Sequence, residues 1–176
     1  GRAYLDQGDA QKAEADLSRA IEILAKSAPG GEDLAQALYD RADTRTRIGR
    51  IPEAEADYRQ ALAILNTRSP RPEKMIAKVR FDLGYVLSLR GAREEAVVEM
   101  RAAYEARLRL LQPGDPELII NEMGLGNTLG LMQQFPEAER LIRSSVARAN
   151  TYIPGDSDTT CLALRSEEHT SELQSH

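Results

Sequence analysis

The chain has 176 residues, of which 41% are hydrophobic and 29% are charged, and its formal net charge is −5. This composition is typical of a globular chain and excludes disorder over most of its length. A mildly acidic chain without a concentrated stripe of Lys and Arg lacks the surface that nucleic acid requires. Because no apolar run reaches the ~18 residues of a membrane span and no signal peptide opens the chain, we expect no membrane partner and a cytoplasmic location.

Four segments share one pattern at a nearly constant spacing. They run GDAQKAEADLSRAIEIL, GRIPEAEADYRQALAIL, GAREEAVVEMRAAYEAR and QQFPEAERLIRSSVARA, and they begin 41, 42 and 42 residues apart, at Gly8, Gly49, Gly91 and Gln133. A fixed period in this range indicates a repeat architecture. In each copy we predict a turn residue followed by a helix, since Pro52 and Pro136 suit helix starts and carboxylates there favour the positive end of the helix dipole.

The helix after each turn has one apolar face. In the second copy the face is formed by residues at i, i+4, i+7, i+8 and i+11, which is the spacing of one side of an α-helix. These residues are Ala54, Tyr58, Ala61, Leu62 and Leu65. The corresponding faces elsewhere are Ala13, Leu17, Ala20, Ile21 and Leu24, then Ala96, Met100, Ala103 and Tyr104, then Ala138, Ile142, Ser145, Val146 and Ala149.

A first helix is predicted before each turn, over 34–48, 76–90 and 118–132. A small residue lies seven positions before each turn, at Gly1, Ala42, Gly84 and Gly126. Small side chains at this position allow the two helices of an antiparallel hairpin to approach closely. The linkers SAPGGED, TRSPRPEK, QPGDPE and IPGDSD are rich in Gly, Pro and Asp, as expected between repeats.

The order of a small residue, a turn Gly, Ala, a large apolar residue and Ala resembles the tetratricopeptide repeat, here at Ala42, Gly49, Ala54, Tyr58 and Ala61. The longer period and the PGDPEL and PGDSDT linkers are similar to those of kinesin light chains and of many bacterial repeat proteins, some fused to Ser/Thr kinase domains. The resemblance implies an all-α, right-handed α-solenoid of antiparallel helix hairpins. It departs from the family at Arg45, where a large apolar residue is usual, and this predicts looser packing of the second repeat.

The resemblance also divides the chain. We expect a partial repeat 1 at 1–33, repeat 2 at 34–74, repeat 3 at 75–117, repeat 4 at 118–159 and a stub of a fifth repeat at 160–164. Solenoid ends normally carry polar caps. Because neither end of this chain has such a cap, we expect self-association through the exposed ends.

In this family the stacked first helices line a groove that binds a peptide or a partner helix, which implies a non-catalytic protein-interaction scaffold. By resemblance, the groove-facing positions are Gln36, Tyr39, Asp43 and Thr46 in repeat 2, Lys78, Phe81, Tyr85 and Ser88 in repeat 3, and Ile120, Met123 and Asn127 in repeat 4. The three aromatic residues are the expected anchors, and the alternative is that some of them are core residues between helices. A regulatory or sensor region of a larger bacterial signalling protein, such as a Ser/Thr kinase or a transcription regulator, is the alternative function.

Other motifs favour no catalytic, cofactor or metal site. The stretch GLGNTLG at 124–130 resembles a dinucleotide-binding loop, but its spacing is wrong, no strand precedes it, and it falls inside a predicted first helix. Cys161 has apolar neighbours and is predicted to be a packing residue. Arg101, Arg107 and Arg109 share a helix with glutamates, which indicates a solvated face of mixed charge, with a basic binding patch as the weaker alternative.

The last twelve residues, RSEEHTSELQSH at 165–176, contain the two histidines of the chain. They resemble the translation of an adapter used in short-read DNA sequencing libraries, and the repeat pattern stops abruptly before them. We interpret them as non-native and exclude them from functional reasoning. The alternatives are a native polar tail or a histidine metal site, and two histidines without a third ligand make a weak metal site.

Overall fold

The computed structural model describes residues 7–152, and within this range the chain forms seven α-helices and no β-strand. The helices are α1 (Gln7–Ser27), α2 (Glu32–Arg47), α3 (Ile51–Asn66), α4 (Glu73–Arg90), α5 (Arg93–Leu110), α6 (Pro116–Leu131) and α7 (Phe135–Tyr152). The predicted all-α class is confirmed for this part of the chain. Gly1, Cys161, the stub at 160–164 and the tail at 165–176 lie outside the described residues.

The described helices fall into two compact units, α1–α4 in the first and α5–α7 in the second, and the boundary between them lies between Arg90 and Gly91. In the first unit α2 packs against α1, α3 and α4, and α3 packs against α4. In the second unit α6 packs against α5 and α7. The boundary between the units follows α4 and falls within the predicted repeat 3.

The turns after α2 and α4 are made by glycine, as predicted. Gly49 has φ +79° and Gly91 has φ +90°, a left-handed conformation that most other side chains disfavour. Gln133 occupies the equivalent position after α6 with φ 60°. After α2 and α6 the next residue closes the helix end, since Arg50 N–H donates to the Arg45 carbonyl at 2.8 Å and Gln134 N–H donates to the Leu129 carbonyl at 2.9 Å.

Gly8 is an exception to this pattern of turn glycines. It was predicted as a turn residue, but it lies within α1, which begins at Gln7. Glycine can adopt the helical conformation as readily as the left-handed one, at a cost of about 1 kcal/mol relative to alanine. The repeat spacing therefore locates a glycine at this position, but it does not determine whether the glycine forms a turn or part of a helix.

The apolar faces of the second helices form the core, as predicted. Ala54, Tyr58, Ala61 and Leu65 are fully buried in α3, and the equivalent residues of α5 and α7 are buried to the same degree, with Leu62, Tyr104 and Val146 half-buried at the edges. On α1 the corresponding face is only half-buried throughout. This difference leaves an apolar surface on α1.

The small residues at the hairpin crossings are buried, and Gly126 shows why they are small. A Cβ atom on Gly126 would lie 2.7 Å from Ile142 Cγ1 and 3.1 Å from the Ala138 carbonyl oxygen. The backbone of α6 therefore touches α7 directly. The glycine-rich stretch 124–130 lies inside α6, where the sequence placed it, rather than in a loop.

Two arginines differ from expectation. Arg45 does not leave a gap in repeat 2, because its guanidinium lies between α1 and α3, where it pairs with Glu14 and Asp57. Arg107 was predicted on a solvated face, yet it is 4% exposed. Its Nη1 donates to the Glu117 carbonyl at 2.9 Å and to Asn121 Oδ1 at 3.3 Å, since this side of α5 packs against α6.

None of the helices within 7–152 is both long and apolar enough to cross a membrane.

Candidate binding surface

The two first helices of the first unit, α2 and α4, meet at Tyr39. The Tyr39 hydroxyl donates to Asp82 Oδ2 at 2.7 Å, and Lys78 Nζ lies 4.5 Å from the centre of the Tyr39 ring. Predicted groove residues from two repeats, Tyr39 and Lys78, are thus in direct contact. We call the exposed side of this helix pair the α2–α4 surface, formed by Gln36, Asp40, Asp43 and Arg47 on α2 and by Lys78, Phe81, Tyr85 and Leu89 on α4.

Tyr39 itself is a core residue rather than an exposed anchor. It is 8% exposed, and its ring lies 5.7 Å from the ring of Tyr58. Burial and the neighbouring Asp82 carboxylate raise the pKa of the Tyr39 hydroxyl far above its ordinary value. The hydroxyl is therefore always protonated and serves as the hydrogen-bond donor that ties α2 to α4.

Tyr58 and Thr46 lie in the same neighbourhood. Burial, followed by the Asp82 charge, raises the pKa of Tyr58, while a hydrogen bond with Thr46 acts in the opposite direction. Thr46 is half-buried and also donates to the Ala42 carbonyl at 2.8 Å. Its hydroxyl therefore contributes to the structure beneath the α2–α4 surface.

Among the first helices, α4 carries two exposed large apolar residues, whereas α2 carries none and α6 carries only Leu131. Tyr85 is 46% exposed, Leu89 is 54% exposed, and Phe81 is half-buried one turn before Tyr85. These residues follow one another at i, i+4 and i+8, so they form one stripe along the helix. The sequence analysis selected Phe81 and Tyr85 but missed Leu89, which could have been found by extending the same spacing by one turn. Ser88, also predicted for the groove, is half-buried beside this stripe.

The charges of α2 are separated between its two sides. Gln36, Asp40, Asp43 and Arg47 share the outer face, where Gln36 Nε2 donates to Asp40 Oδ1 at 2.8 Å and Arg47 pairs with Asp43 at 2.9 Å. The other two arginines of the helix point inward. Asp40 is not among the predicted groove residues, because the resemblance to the repeat family does not place this position in the groove.

The inward arginines form an ionic cluster with the neighbouring helices. Arg41 binds the Asp57 carboxylate with two hydrogen bonds of 2.8 and 2.7 Å, and Arg45 Nη1 binds Asp57 Oδ2 at 2.7 Å. Asp57 is almost completely buried. Because two guanidinium groups neutralise one carboxylate in this interior, the cluster fixes α2 against α3.

Glu14 extends the cluster to α1. Its Oε1 accepts hydrogen bonds from Arg45 Nε at 2.8 Å and Arg50 Nη1 at 2.7 Å. Burial raises the pKa of Glu14, but the Arg45 hydrogen bond and the charges of Arg50 and Arg45 outweigh burial and bring the pKa below its ordinary value. The cluster therefore holds α2 with its carboxylates facing outward.

The second unit presents a different arrangement around α6. Ile120, Met123 and Asn127, which were predicted to face the groove, are all half-buried. Glu122, on the same helix, is the centre of a buried polar network. Its Oε1 accepts hydrogen bonds from the Tyr104 hydroxyl at 2.8 Å, from Ser144 Oγ and from Arg148 Nε. Burial and the hydrogen bond to Glu122 raise the pKa of Tyr104 to about 12. This centre joins α5, α6 and α7 through a carboxylate that the sequence patterns did not single out.

Within residues 7–152, no three His, Cys, Asp or Glu side chains are grouped closely enough to hold a metal ion.

Comparison with known proteins agrees with this architecture. The family model of the tetratricopeptide repeat matches residues 1–67. No curated protein matches the chain in sequence. Among solved structures, the chain is similar to a protein of Podosopora anserina of kinesin-light-chain type with nearly identical TPR-like repeats, at a TM-score of 0.81 and 19% identity, covering 99% of this chain and 83% of that one. A variant of the same protein gives a TM-score of 0.83 at 19% identity, covering 99% and 82%.

Two further structures are similar. BtubC (BKLC) of P. vanneervenii has a TM-score of 0.70 and 15% identity, covering 93% of this chain and 71% of that one. MamA has a TM-score of 0.58 and 16% identity, covering 98% and 96%. At these identities the likeness concerns the fold. Residues 1–67 thus match the tetratricopeptide repeat model, and the chain has an all-α solenoid fold similar to that of the kinesin-light-chain-like structures.

Proposed function

We propose that the chain is a non-catalytic interaction module that binds a peptide or a partner helix on the exposed side of its first helices, with the α2–α4 surface as the main contact. The observation that carries this proposal is the stripe of Phe81, Tyr85 and Leu89 on α4. Exposed apolar residues in contiguous groups are typical of interaction sites, whereas isolated ones need no explanation. Tyr85 is suited to an anchor, because an aromatic ring supplies a large contact area at a small cost in side-chain entropy.

The surface is also held in one shape before binding. Tyr39 ties α2 to α4 through Asp82, and the ionic cluster around Asp57 fixes the opposite side of α2. A preformed surface loses less entropy on association than one that must first become ordered. The half-buried Ile120, Met123 and Asn127 on α6 would offer a corresponding surface in the second unit.

The test is an unbiased peptide selection. Random peptides displayed on phage are selected against the full chain, and the affinity of the enriched peptides is measured by fluorescence anisotropy. We expect Tyr85→Ser and Leu89→Ser each to weaken binding by about tenfold or more, as at an interface anchor. The matched control is Val98→Ser on α5, which also removes an exposed apolar side chain. Selected peptides that bind all three variants equally would contradict the proposed site.

We also propose that the chain self-associates through α1. Ile23 is 66% exposed, and the apolar face that is buried on the other second helices is half-buried here. Burying this face against a second copy would remove apolar area from water.

A further inference from the structure

Resting on the proposed function, we infer that the α2–α4 surface selects a peptide or partner helix in which basic side chains lie next to apolar ones. The apolar side chains would contact Tyr85 and Leu89 on α4. The basic side chains would contact the carboxylates on the outer face of α2.

The charge separation on α2 is the first support. The helix carries four carboxylates on its outer positions, Glu32, Asp33, Asp40 and Asp43. Of its three arginines, Arg41 and Arg45 are directed inward, where both pair with Asp57. Because the attraction between charges weakens with distance, the positive charges of these two arginines act mainly on their inner carboxylate partners and little on the outer face. Arg47 alone remains on the outer face. The outer face of α2 is therefore acidic although the whole helix is nearly balanced.

The second support is the state of these carboxylates. Asp40 accepts a hydrogen bond from the neutral amide of Gln36 and has no ion pair with any described residue. Asp43 is 41% exposed in its side chain and shares its charge with Arg47, which is itself 60% exposed. Both carboxylates can therefore accept a cation from a partner without first breaking a buried contact.

The cations of α4 do not cancel this preference. Lys78 Nζ lies over the Tyr39 ring at 4.5 Å, which engages its charge in a cation–π contact. Lys74 lies one turn earlier, at the beginning of the helix, and Tyr85 and Leu89 lie two to four turns further along. Arg90, beside Leu89 at the end of α4, is exposed, but its guanidinium pairs with Glu55 on α3 at 3.1 Å. The apolar stripe and the acidic face of α2 thus neighbour each other, and Arg47 and Arg90, the exposed cations beside them, each already have a carboxylate partner.

The experiment compares two peptide sets of matched design with the full chain. Each set has Leu or Phe at two positions four residues apart. The basic set has Lys or Arg at the flanking positions, and the acidic set has Asp or Glu there. Binding is measured by fluorescence anisotropy at low and high salt, because attraction between exposed charges weakens as salt increases.

The main variant is the double substitution Asp40→Asn with Asp43→Asn, which removes two negative charges and keeps the size of both side chains. The matched control is Asp16→Asn with Glu22→Gln, which removes two negative charges from exposed positions on α1. A general effect of net charge would appear in both variants. An effect at the α2–α4 surface would appear only in the first.

We expect the basic set to bind about tenfold more tightly than the acidic set at low salt, and the α2 double variant to lose about fivefold to tenfold of that affinity. The control should change by less than about twofold, and added salt should reduce the difference between the sets. Equal or tighter binding of the acidic set, or equal effects of the two double variants, would overturn the inference. If peptides selected without bias depend on Tyr85 and Leu89 but carry no basic residues, the charge preference is wrong and the proposed function stands. If no peptide depends on Tyr85 and Leu89, both are wrong.

Discussion

The substitution Gly126→Ala tests the close contact between α6 and α7. Alanine would place its Cβ 2.7 Å from Ile142 Cγ1, 3.3 Å from Ile142 Cδ1 and 3.1 Å from the Ala138 carbonyl oxygen. Because carbon atoms pack best at about 3.5–4.0 Å, the two helices would have to separate locally by about 0.8 Å. Ile142 is fully buried and cannot move into solvent to relieve the contact.

Two effects of opposite sign determine the magnitude. Alanine favours a helix interior over glycine by about 1 kcal/mol. Overpacking of a dense core costs about 1–3 kcal/mol, and we expect the upper part of this range because one of the atoms in contact belongs to the backbone of α7. The expected net result is a loss of about 1–2 kcal/mol in the free energy of unfolding.

The assay is urea denaturation of the full chain, followed by far-ultraviolet circular dichroism. The matched control is Gly30→Ala, since a Cβ on Gly30 would meet no atom within 4 Å and its φ is not left-handed. We expect that variant to be unchanged or more stable by up to about 1 kcal/mol. If Gly126→Ala were as stable as the parent protein, the contact between α6 and α7 would be looser than described here.

The remaining predictions concern the ionic cluster and α1. Asp57→Ala leaves the half-buried Arg41 without a carboxylate and Arg45 with Glu14 alone, and should cost about 3 kcal/mol in urea denaturation, whereas the exposed Asp16→Ala should change stability little; equal effects would contradict the cluster's role. The pKa of Glu14 is lowered from its ordinary value of 4.5, so its stabilising contribution is present above about pH 4.5 and is lost as the pH falls through the lower pKa of the folded state; Glu14→Gln should flatten the fall in stability below pH 4.5, and an unchanged slope would refute this. Ile23→Ser should reduce self-association in light scattering at high concentration and Val98→Ser should not, while a parent protein that stays monomeric would exclude association through α1.

Much of the fold follows from local spacing in the sequence. The turn glycines, the apolar faces and the small residue at Gly126 each depend on positions within a single hairpin, so a regular period is sufficient to predict them. Gly49 and Gly91 have the expected left-handed conformation, and Ile142 on the predicted apolar face of α7 contacts Gly126. The repeat boundaries remain a prediction.

The ionic cluster could not be predicted in this way. A periodic pattern predicts that charged residues face the solvent. Arg45 instead binds Glu14, which lies in another helix and 31 positions away in the sequence. Arg107 was misplaced for the same reason, since its partners lie on α6. Such pairings depend on which helices become neighbours rather than on the spacing within one helix.

The binding surface was predicted in part. Tyr39 and Phe81 occupy equivalent positions, 10 residues before the turn glycines Gly49 and Gly91, yet Tyr39 is buried and Phe81 is only half-buried. The difference arises because α4 supplies Lys78 and Asp82 to cover Tyr39. The exposure of an aromatic residue at this position therefore depends on the neighbouring helix, which the pattern within each repeat does not contain.

The central claim is that the exposed side of the first helices binds a peptide or partner helix. Amide chemical-shift mapping of the labelled full chain, titrated with the tightest peptide from the unbiased selection, tests this claim most directly. We predict that the largest shifts occur on α2 and α4, around Asp40, Asp43, Tyr85 and Leu89, and that they disappear in Tyr85→Ser. Shifts concentrated on the second helices α3, α5 and α7, or unchanged shifts in Tyr85→Ser, would contradict the claim.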